Sequence, residues 1–264
     1  MSYGIDRIVI STDDSHFREF AHIVSVAWRK VFPGVKLTLA YVTSTAAHRR
    51  KFERDYDDVM VFNPINGVPD ANMAKIARRY ACTRYGNEVC MIEDIDTAPL
   101  NRDYHARIVS QRVPGTLGMV GLEVYAGTPH SGKAPSSYTC GESYVWERAI
   151  NPNGLEFEDW ARSFIGKRVF DHKEDISAPA YQFSDESLMR AILSESKFTN
   201  ITHINRDADP RTDWIDRSWW DVDVAKLKRN EYYVVNFMRP LDLRRAHDVL
   251  DHIENHMTFE DHPA

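Results

Sequence analysis

With 264 residues, 43% hydrophobic and 27% charged, the chain can bury a full core and has the composition of an ordinary globular protein. A formal charge of −6 opposes broad binding to phosphate backbones. No apolar run reaches the ~18 residues of a spanning helix, and Met1 to Ile10 lacks the basic and apolar regions of a signal peptide. Cys82, Cys90 and Cys140 have no metal-ligand spacing and read as reduced thiols of a cytoplasmic protein.

Arg7 to Thr12 is a short β-branched run, expected as a buried strand. Asp13-Asp14-Ser15 follows as a turn and helix cap. Phe17, Phe20, Ala21, Val24, Ala27, Trp28 and Val31 then recur at spacings of three and four, predicting an amphipathic helix stopped by Pro33-Gly34. Lys36 to Thr43 is the second strand. Ser44 caps a helix expected to reach about Arg54, with His48-Arg49-Arg50-Lys51 on a solvated face. Asp58 to Phe62 is the third strand. Met73, Ile76, Ala77 and Tyr80 define the next helix, with Lys75, Arg78 and Arg79 on its other face. Glu88 to Ile92 is the fourth strand and runs straight into Glu93-Asp94-Ile95-Asp96. This alternation predicts an α/β fold with a mostly parallel central sheet flanked by helices. Ligands of such sheets bind beyond the strands' carboxyl ends, where Thr12-Asp13-Asp14 and Asp94 to Asp96 would share a rim.

The second half is less regular. A helix is expected from Asn101 to about Arg112, then one strand within Gly115 to Tyr125. Gly127 to Gly141 reads as a mobile loop rich in Gly, Pro, Ser and Thr. Further helices are expected over 142–150, 157–166 and 185–197, the last capped by Ser184. Strands are expected over 200–205 and 232–237, and Pro240 opens a last helix. No internal repeat and no dividing linker is visible, so a single domain over 1–264 is expected.

Carboxylates gathered at the end of a buried strand repel one another unless a cation or hydrogen bonds compensate. In extended chain Asp94 and Asp96 would point the same way, offering two hard oxygen donors to Mn²⁺ or Mg²⁺, with a diphosphate completing the shell. Haloacid-dehalogenase-type phosphatases also carry Asp-x-Asp after an apolar strand. They want Thr or Val two positions beyond the second Asp, where this chain has Ala98, and they place the motif after the first strand.

The sequence resembles a GT-A glycosyltransferase with an Asp-x-Asp motif, and is similar to small sugar transferases encoded by viruses and phages. The patches carrying the resemblance are Ile8 to Asp14, Lys75-Ile76-Ala77-Arg78, Val89 to Leu100 and Ser184 to Met189. It implies a nucleotide-sugar-binding half over 1–112 and an acceptor-binding half over 113–264. It implies that Thr12, Asp13 and Asp14 meet the nucleobase and ribose of a nucleoside-diphosphate donor, expected as a UDP-sugar. Lys75, Arg78 and Arg239 would lie near diphosphate or sugar, and Asp94 and Asp96 would hold the metal, Asp94 in part the ribose. Many such enzymes add a histidine ligand late in the chain; Asn236 stands in that position here. Its amide oxygen is a weaker alternative, and His203 is a fallback. Asp185, then Glu186, would be the general base that takes the acceptor hydroxyl's proton in an inverting reaction; a retaining one needs no such base.

Each role has a plainer counterpart: Asp13 and Asp14 as caps, Lys75 and Arg78 as a solvated face, Asp185 and Glu186 as acidic first-turn residues. Trp214, Trp219 and Trp220, or Tyr138, Tyr144 and Trp146, could stack on an acceptor glycan or belong to the core. The rival functions are a Mg²⁺-dependent phosphatase or phosphotransferase and a non-catalytic nucleotide-binding module. A modified base in DNA is a narrower alternative acceptor, whereas extended nucleic-acid binding is not expected.

Overall fold

The computed structural model describes residues 4–14, 18–66, 68–125, 137–165, 185–209 and 211–257. In chain order the strands are β1 (Arg7–Asp13), β2 (Lys36–Val42), β3 (Asp58–Phe62), β4 (Val89–Ile92), β5 (Thr97–Pro99), β6 (Leu117–Val120), β7 (Cys140–Glu142), β8 (Ile201–Ile204), β9 (Trp214–Ile215) and β10 (Val234–Asn236). The helices are α1 (Ala21–Val31), α2 (Asp70–Ala81), α3 (Arg102–Gln111), α4 (Ser143–Ile150), α5 (Phe157–Ile165), α6 (Asp185–Ser196), α7 (Val224–Lys228) and α8 (Leu243–Asp251).

The expected α/β class forms. A seven-stranded sheet runs β3-β2-β1-β4-β7-β6-β8, and of its strands only β7 is antiparallel to its neighbours. Period-two alternation sends side chains to both faces. Ile8, Ile10, Leu37, Leu39 and Tyr41 enter one core with Trp28 and Phe32. Val9, Ala40, Val42, Cys90 and Ile92 enter the other, with Met73, Ile76 and Trp146. Burial on both faces explains why these strands read as continuous apolar runs.

A second, three-stranded sheet has the order β5-β10-β9. Its first strand begins directly after the acidic run, so residues 93–96 join the two sheets. The backbone turns there, with Thr97 N–H donating to the Asp94 carbonyl at 3.1 Å. β10 pairs antiparallel with β5 and parallel with β9.

Several expectations are corrected. The helix expected from Ser44 forms only as a 3-10 turn over Ala46–Lys51. α1 starts at Ala21 after a 3-10 turn and has no side-chain cap, so Asp13 and Asp14 do not cap it. Of the loop expected over Gly127 to Gly141, residues 127–136 lie outside the described residues, and its end is not loop, because Cys140–Glu142 is strand β7, inserted between β4 and β6. Glycines make room for that insertion: a Cβ on Gly118 would stand 3.1 Å from the Cys140 sulfur, and one on Gly141 3.2 Å from the Thr116 carbonyl. The last helix begins behind Asp242, whose carboxylate accepts from the Arg244 and Arg245 amides, rather than at Pro240. No helix among the described residues is long and apolar enough to cross a membrane.

Candidate active site

Parallel pairing brings the two acidic segments together. Val9 stands opposite Ile92, and Glu93 N–H donates to the Val9 carbonyl at 3.0 Å, so the carboxyl end of β1 flanks the acidic turn. α2 lies against β1 and β2, and residues one helical turn apart bring Ala71, Ala74, Lys75 and Arg78 to the same rim. Ser11, Thr12, Asp13, those four residues, Asp94, Ile95, Asp96 and Arg239 line one cleft. Its empty space is about 460 Å³, open mouth included.

Seven of the residues nominated from sequence therefore share one cleft: Thr12, Asp13, Lys75, Arg78, Asp94, Asp96 and Arg239. Arg78 is not on a solvated face. It is buried, and its Nη1 donates to the Glu93 carbonyl at 2.8 Å and to Asp94 Oδ1 at 2.6 Å. Lys75 is half-buried.

The two aspartates are unlike each other because the chain turns between them rather than staying extended. Asp94 keeps 36% of its side chain exposed and also accepts from Ser137 Oγ on Oδ2 at 2.7 Å. Asp96 is fully buried, and its Oδ2 receives both Arg217, at 2.5 Å, and Arg239. Burial alone would lower the Arg239 pKa, but the hydrogen bond and charge of Asp96 hold it above its ordinary value. Arg217 was not among the sequence nominees and comes from a 3-10 turn over Arg217–Trp219. The only local signal there is Asp216, a capping residue type; it says nothing of the Arg217–Asp96 pairing, which spans 121 positions.

Behind the turn lies Glu93, fully buried, whose Oε1 accepts the Asp94 amide at 2.9 Å. Its Oε2 stands 3.7 Å from His105 Nε2, in a cage of Trp28, Phe32, Tyr104 and Tyr138 rings around that histidine. Burial, aided by the Asp94 charge, raises the Glu93 carboxyl well above the carboxylate range. Burial lowers His105 to about 3. Both directions favour neutral partners, not an ion pair.

Other nominees lie elsewhere. Asp14 is outside the cleft lining and accepts from Tyr41 Oη, from Thr43 Oγ1 at 2.5 Å and from His48 Nδ1 at 2.8 Å. Burial would raise its pKa, but those bonds hold it below the carboxylate range. Asn236 is also outside the lining: its Oδ1 accepts from Thr97 Oγ1 at 2.9 Å and its Nδ2 donates to Asp216 Oδ2 at 3.0 Å. His203 is exposed on β8. Tyr138 and Trp146 are buried, Trp146 donating to the Cys90 carbonyl, so neither presents a face to an acceptor; Tyr144 is exposed. Trp214 is buried, Trp220 packs half-buried on the core, and Trp219 is 48% exposed. α6 begins at Asp185; the side chains of Asp185 and Glu186, with Ser184, lie outside the described residues.

For a divalent ion the donor chemistry fits in part. Asp94 and Asp96 offer hard oxygens, and Asp96 Oδ1 is buried with no hydrogen-bond partner among the described residues. No group of three or more His, Cys, Asp or Glu side chains able to hold a metal occurs among the described residues. Two carboxylates plus ligand phosphates are a usual Mg²⁺ arrangement.

No protein-family model and no curated protein matches the sequence. By superposition the chain is similar to the galactosyltransferase LgtC, solved with donor and acceptor sugar analogs, at 12% identity over 89% of this chain and 87% of that one, TM-score 0.46. It is similar to the glycosyltransferase GlyE of Streptococcus pneumoniae TIGR4 at 9% identity over 77% of this chain and 45% of that one, TM-score 0.41. A 4-diphosphocytidyl-2C-methyl-D-erythritol synthase superposes at 12% identity over 61% of this chain and 85% of that one, TM-score 0.39. Similarity at this level carries no functional weight, and function must be read from the cleft's own residues.

Proposed function

We propose that the chain is a GT-A-type glycosyltransferase of one domain that moves a hexosyl or pentosyl group from a nucleoside-diphosphate sugar, UDP-linked, to an acceptor hydroxyl. The observation that carries this reading is the convergence of Thr12, Asp13, Lys75, Arg78, Asp94, Asp96 and Arg239 on one cleft at the carboxyl ends of β1 and β4. Parallel sheets bind ligands there. Carboxylates facing cations suit a ligand that is sugar-like at one end and anionic at the other.

In this reading Thr12 and Asp13 hydrogen-bond the nucleoside, with Asp14 beyond them bracing the segment through Tyr41, Thr43 and His48. Lys75 and Arg239 face the diphosphate. Arg78, fixed by the Glu93 carbonyl, orients Asp94 toward the ribose or sugar. A Mn²⁺ or Mg²⁺ ion would be held by Asp94 and Asp96, and when bound it supplies charge neutralisation for the departing diphosphate. The acceptor oxygen attacks the anomeric carbon as the carbon–phosphate-oxygen bond breaks, and the nucleoside diphosphate leaves with that electron pair. For an inverting reaction Asp185, or Glu186 beside it, takes the acceptor's proton. The cationic arginines lower the energy of the leaving group by charge that is already in place.

The test is thermal stability with UDP, GDP, CDP and ADP, each with and without Mn²⁺. Occupancy at ~100 times the dissociation constant adds about 2.7 kcal/mol. Stabilisation by one nucleotide, absent in Asp94→Ala/Asp96→Ala, supports the reading. No stabilisation by any of the four, together with turnover of a phosphate ester, would replace it with phosphatase chemistry.

A further inference from the structure

On the reading of the cleft as a donor site, we propose that Arg217 binds the donor's diphosphate and that Asn236 is the positioning residue that holds it there, rather than a metal ligand. The geometry starts in the small sheet. Val235 pairs with Ile215 in parallel register, so the next residues along each strand, Asn236 and Asp216, come side by side. Asn236 also stands opposite Thr97 across β5. Its amide is used at both ends, with the Thr97 hydroxyl on the oxygen at 2.9 Å and the Asp216 carboxylate on the nitrogen at 3.0 Å. A carboxylate only accepts, which fixes which way the amide faces. The oxygen a metal would need is therefore already engaged inside the sheet.

Asp216, pinned by Asn236, spends its other oxygen on the Ser218 amide at 2.8 Å and so caps the 3-10 turn. That turn delivers Arg217 to Asp96 Oδ2 at 2.5 Å. Arg239 meets the same oxygen. Two guanidiniums share this one carboxylate, and the Asp216 carboxylate beside Arg217 supplies the second counter-charge. Arg217 keeps 41% of its side chain exposed, and Asp96 engages only its Nη1. Guanidinium forks match phosphate oxygens in pairs. Thr97, Asn236, Asp216 and Arg217 thus form a bonded chain from the end of the acidic turn back to its second aspartate. It sets a second guanidinium beside Asp96.

The experiment measures binding of inorganic pyrophosphate and of UDP, GDP, CDP and ADP, with and without Mn²⁺, to wild type, Arg217→Gln, Arg217→Lys, Asn236→Ala and the double variant Arg217→Gln/Asn236→Ala. Mn²⁺ binding alone is measured on each, and circular dichroism confirms folding. Arg217→Gln should weaken the best wild-type ligand about 10- to 100-fold, the range for a lost charged hydrogen bond, with Arg217→Lys in between. Asn236→Ala should lose a similar factor, and the double variant should be no worse than Arg217→Gln, because both changes remove one interaction. Mn²⁺ affinity without nucleotide should stay within twofold in Asn236→Ala. Wild-type affinity in Arg217→Gln, or additive losses with weakened Mn²⁺ binding in Asn236→Ala, would overturn the assignment. If Asn236→Ala is unfolded, Arg217→Gln and Arg217→Lys decide the matter alone, since that turn is exposed. Failure of every probe to bind wild type would instead remove the donor-site reading, and the assignment with it.

Discussion

The cleft has two walls built by different means, and its two aspartates show the difference. Asp94 belongs to the wall made by β1, β4 and α2. Its arginine partner, Arg78, lies 16 residues away, and its carboxylate is 36% exposed. Asp96 belongs to the wall made by the small sheet. Its partners Arg217 and Arg239 come from 121 and 143 residues away, and it is fully buried. Solvent reaches only the Asp94 side of the first pair, whereas the second needs β9 and β10 to be in place. Carboxylates two residues apart should therefore respond very differently to the same substitution.

The largest expected effect tests that contrast. Asp96 accepts two charged hydrogen bonds, from Arg217 and Arg239, each worth roughly 1.5–3 kcal/mol, so Asp96→Ala should lower stability by about 3–5 kcal/mol. Asp94→Ala should cost about 1.5 kcal/mol, the lower end for a lost charged hydrogen bond, since Arg78 is buried but keeps the Glu93 carbonyl. Urea denaturation measures both, and equal losses would dissolve the distinction between the walls. Arg78→Met should fall between them at roughly 1.5–3 kcal/mol, because it leaves the buried Glu93 carbonyl without its charged donor. It should also abolish nucleotide-dependent stabilisation.

A smaller effect sharpens the account of what supports the turn. His105 has a folded pKa of about 3 against 6.5. Between those values the unfolded chain binds more protons at this site, so its contribution to stability rises with pH. Glu93 is raised well above 4.5. Above that value the folded chain holds the proton that the unfolded one loses, so its contribution falls as pH rises. From 4.5 to 6.5 the two slopes oppose each other. His105→Phe should unmask stability that declines with rising pH. Glu93→Gln should unmask stability that climbs with it, each by at most ~1.4 kcal/mol per pH unit. Denaturation midpoints at pH 4.5, 5.5 and 6.5 read the slopes, and parallel curves for all three proteins would mean that the pair is not neutral. The smallest effect is Trp219→Ala. With this residue 48% exposed, stability should change by less than ~0.5 kcal/mol. A loss above 2 kcal/mol would show that its turn is fixed by packing rather than by Asp216 and Arg217.

Legibility follows the same division. β1, β2 and β4 were readable because burial on both faces makes each a short apolar run, and α2 because its apolar residues recur at helical spacing. β3, an edge strand, was readable because it still carries Val59, Met60, Val61 and Phe62 in a row. Thr12, Asp13, Asp94 and Asp96 were readable as cleft residues because parallel strands end on one rim. The turn at Asp94–Thr97 was not, since Thr97 to Pro99 joins a sheet whose other strands lie more than a hundred residues on. β9, with two residues, is too short for any periodicity to show, whereas β10 lies within the strand expected over 232–237. β7 was hidden in a Gly- and Ser-rich stretch because its one glycine, Gly141, serves close approach to the Thr116 carbonyl.

The sequence by itself determined the α/β class, the positions of the first four strands and the residue types at the rim, because these depend on local periodicity and on where strands end. Only the tertiary structure decided which cations meet which carboxylate, that Arg217 joins Arg239 on Asp96, and that Asn236 faces Thr97 and Asp216. Those pairings arise from the register of a small sheet between distant segments. Two of its three strands, β5 and β9, are too short to announce themselves, and the pairing of β5 with β10 joins segments more than a hundred residues apart.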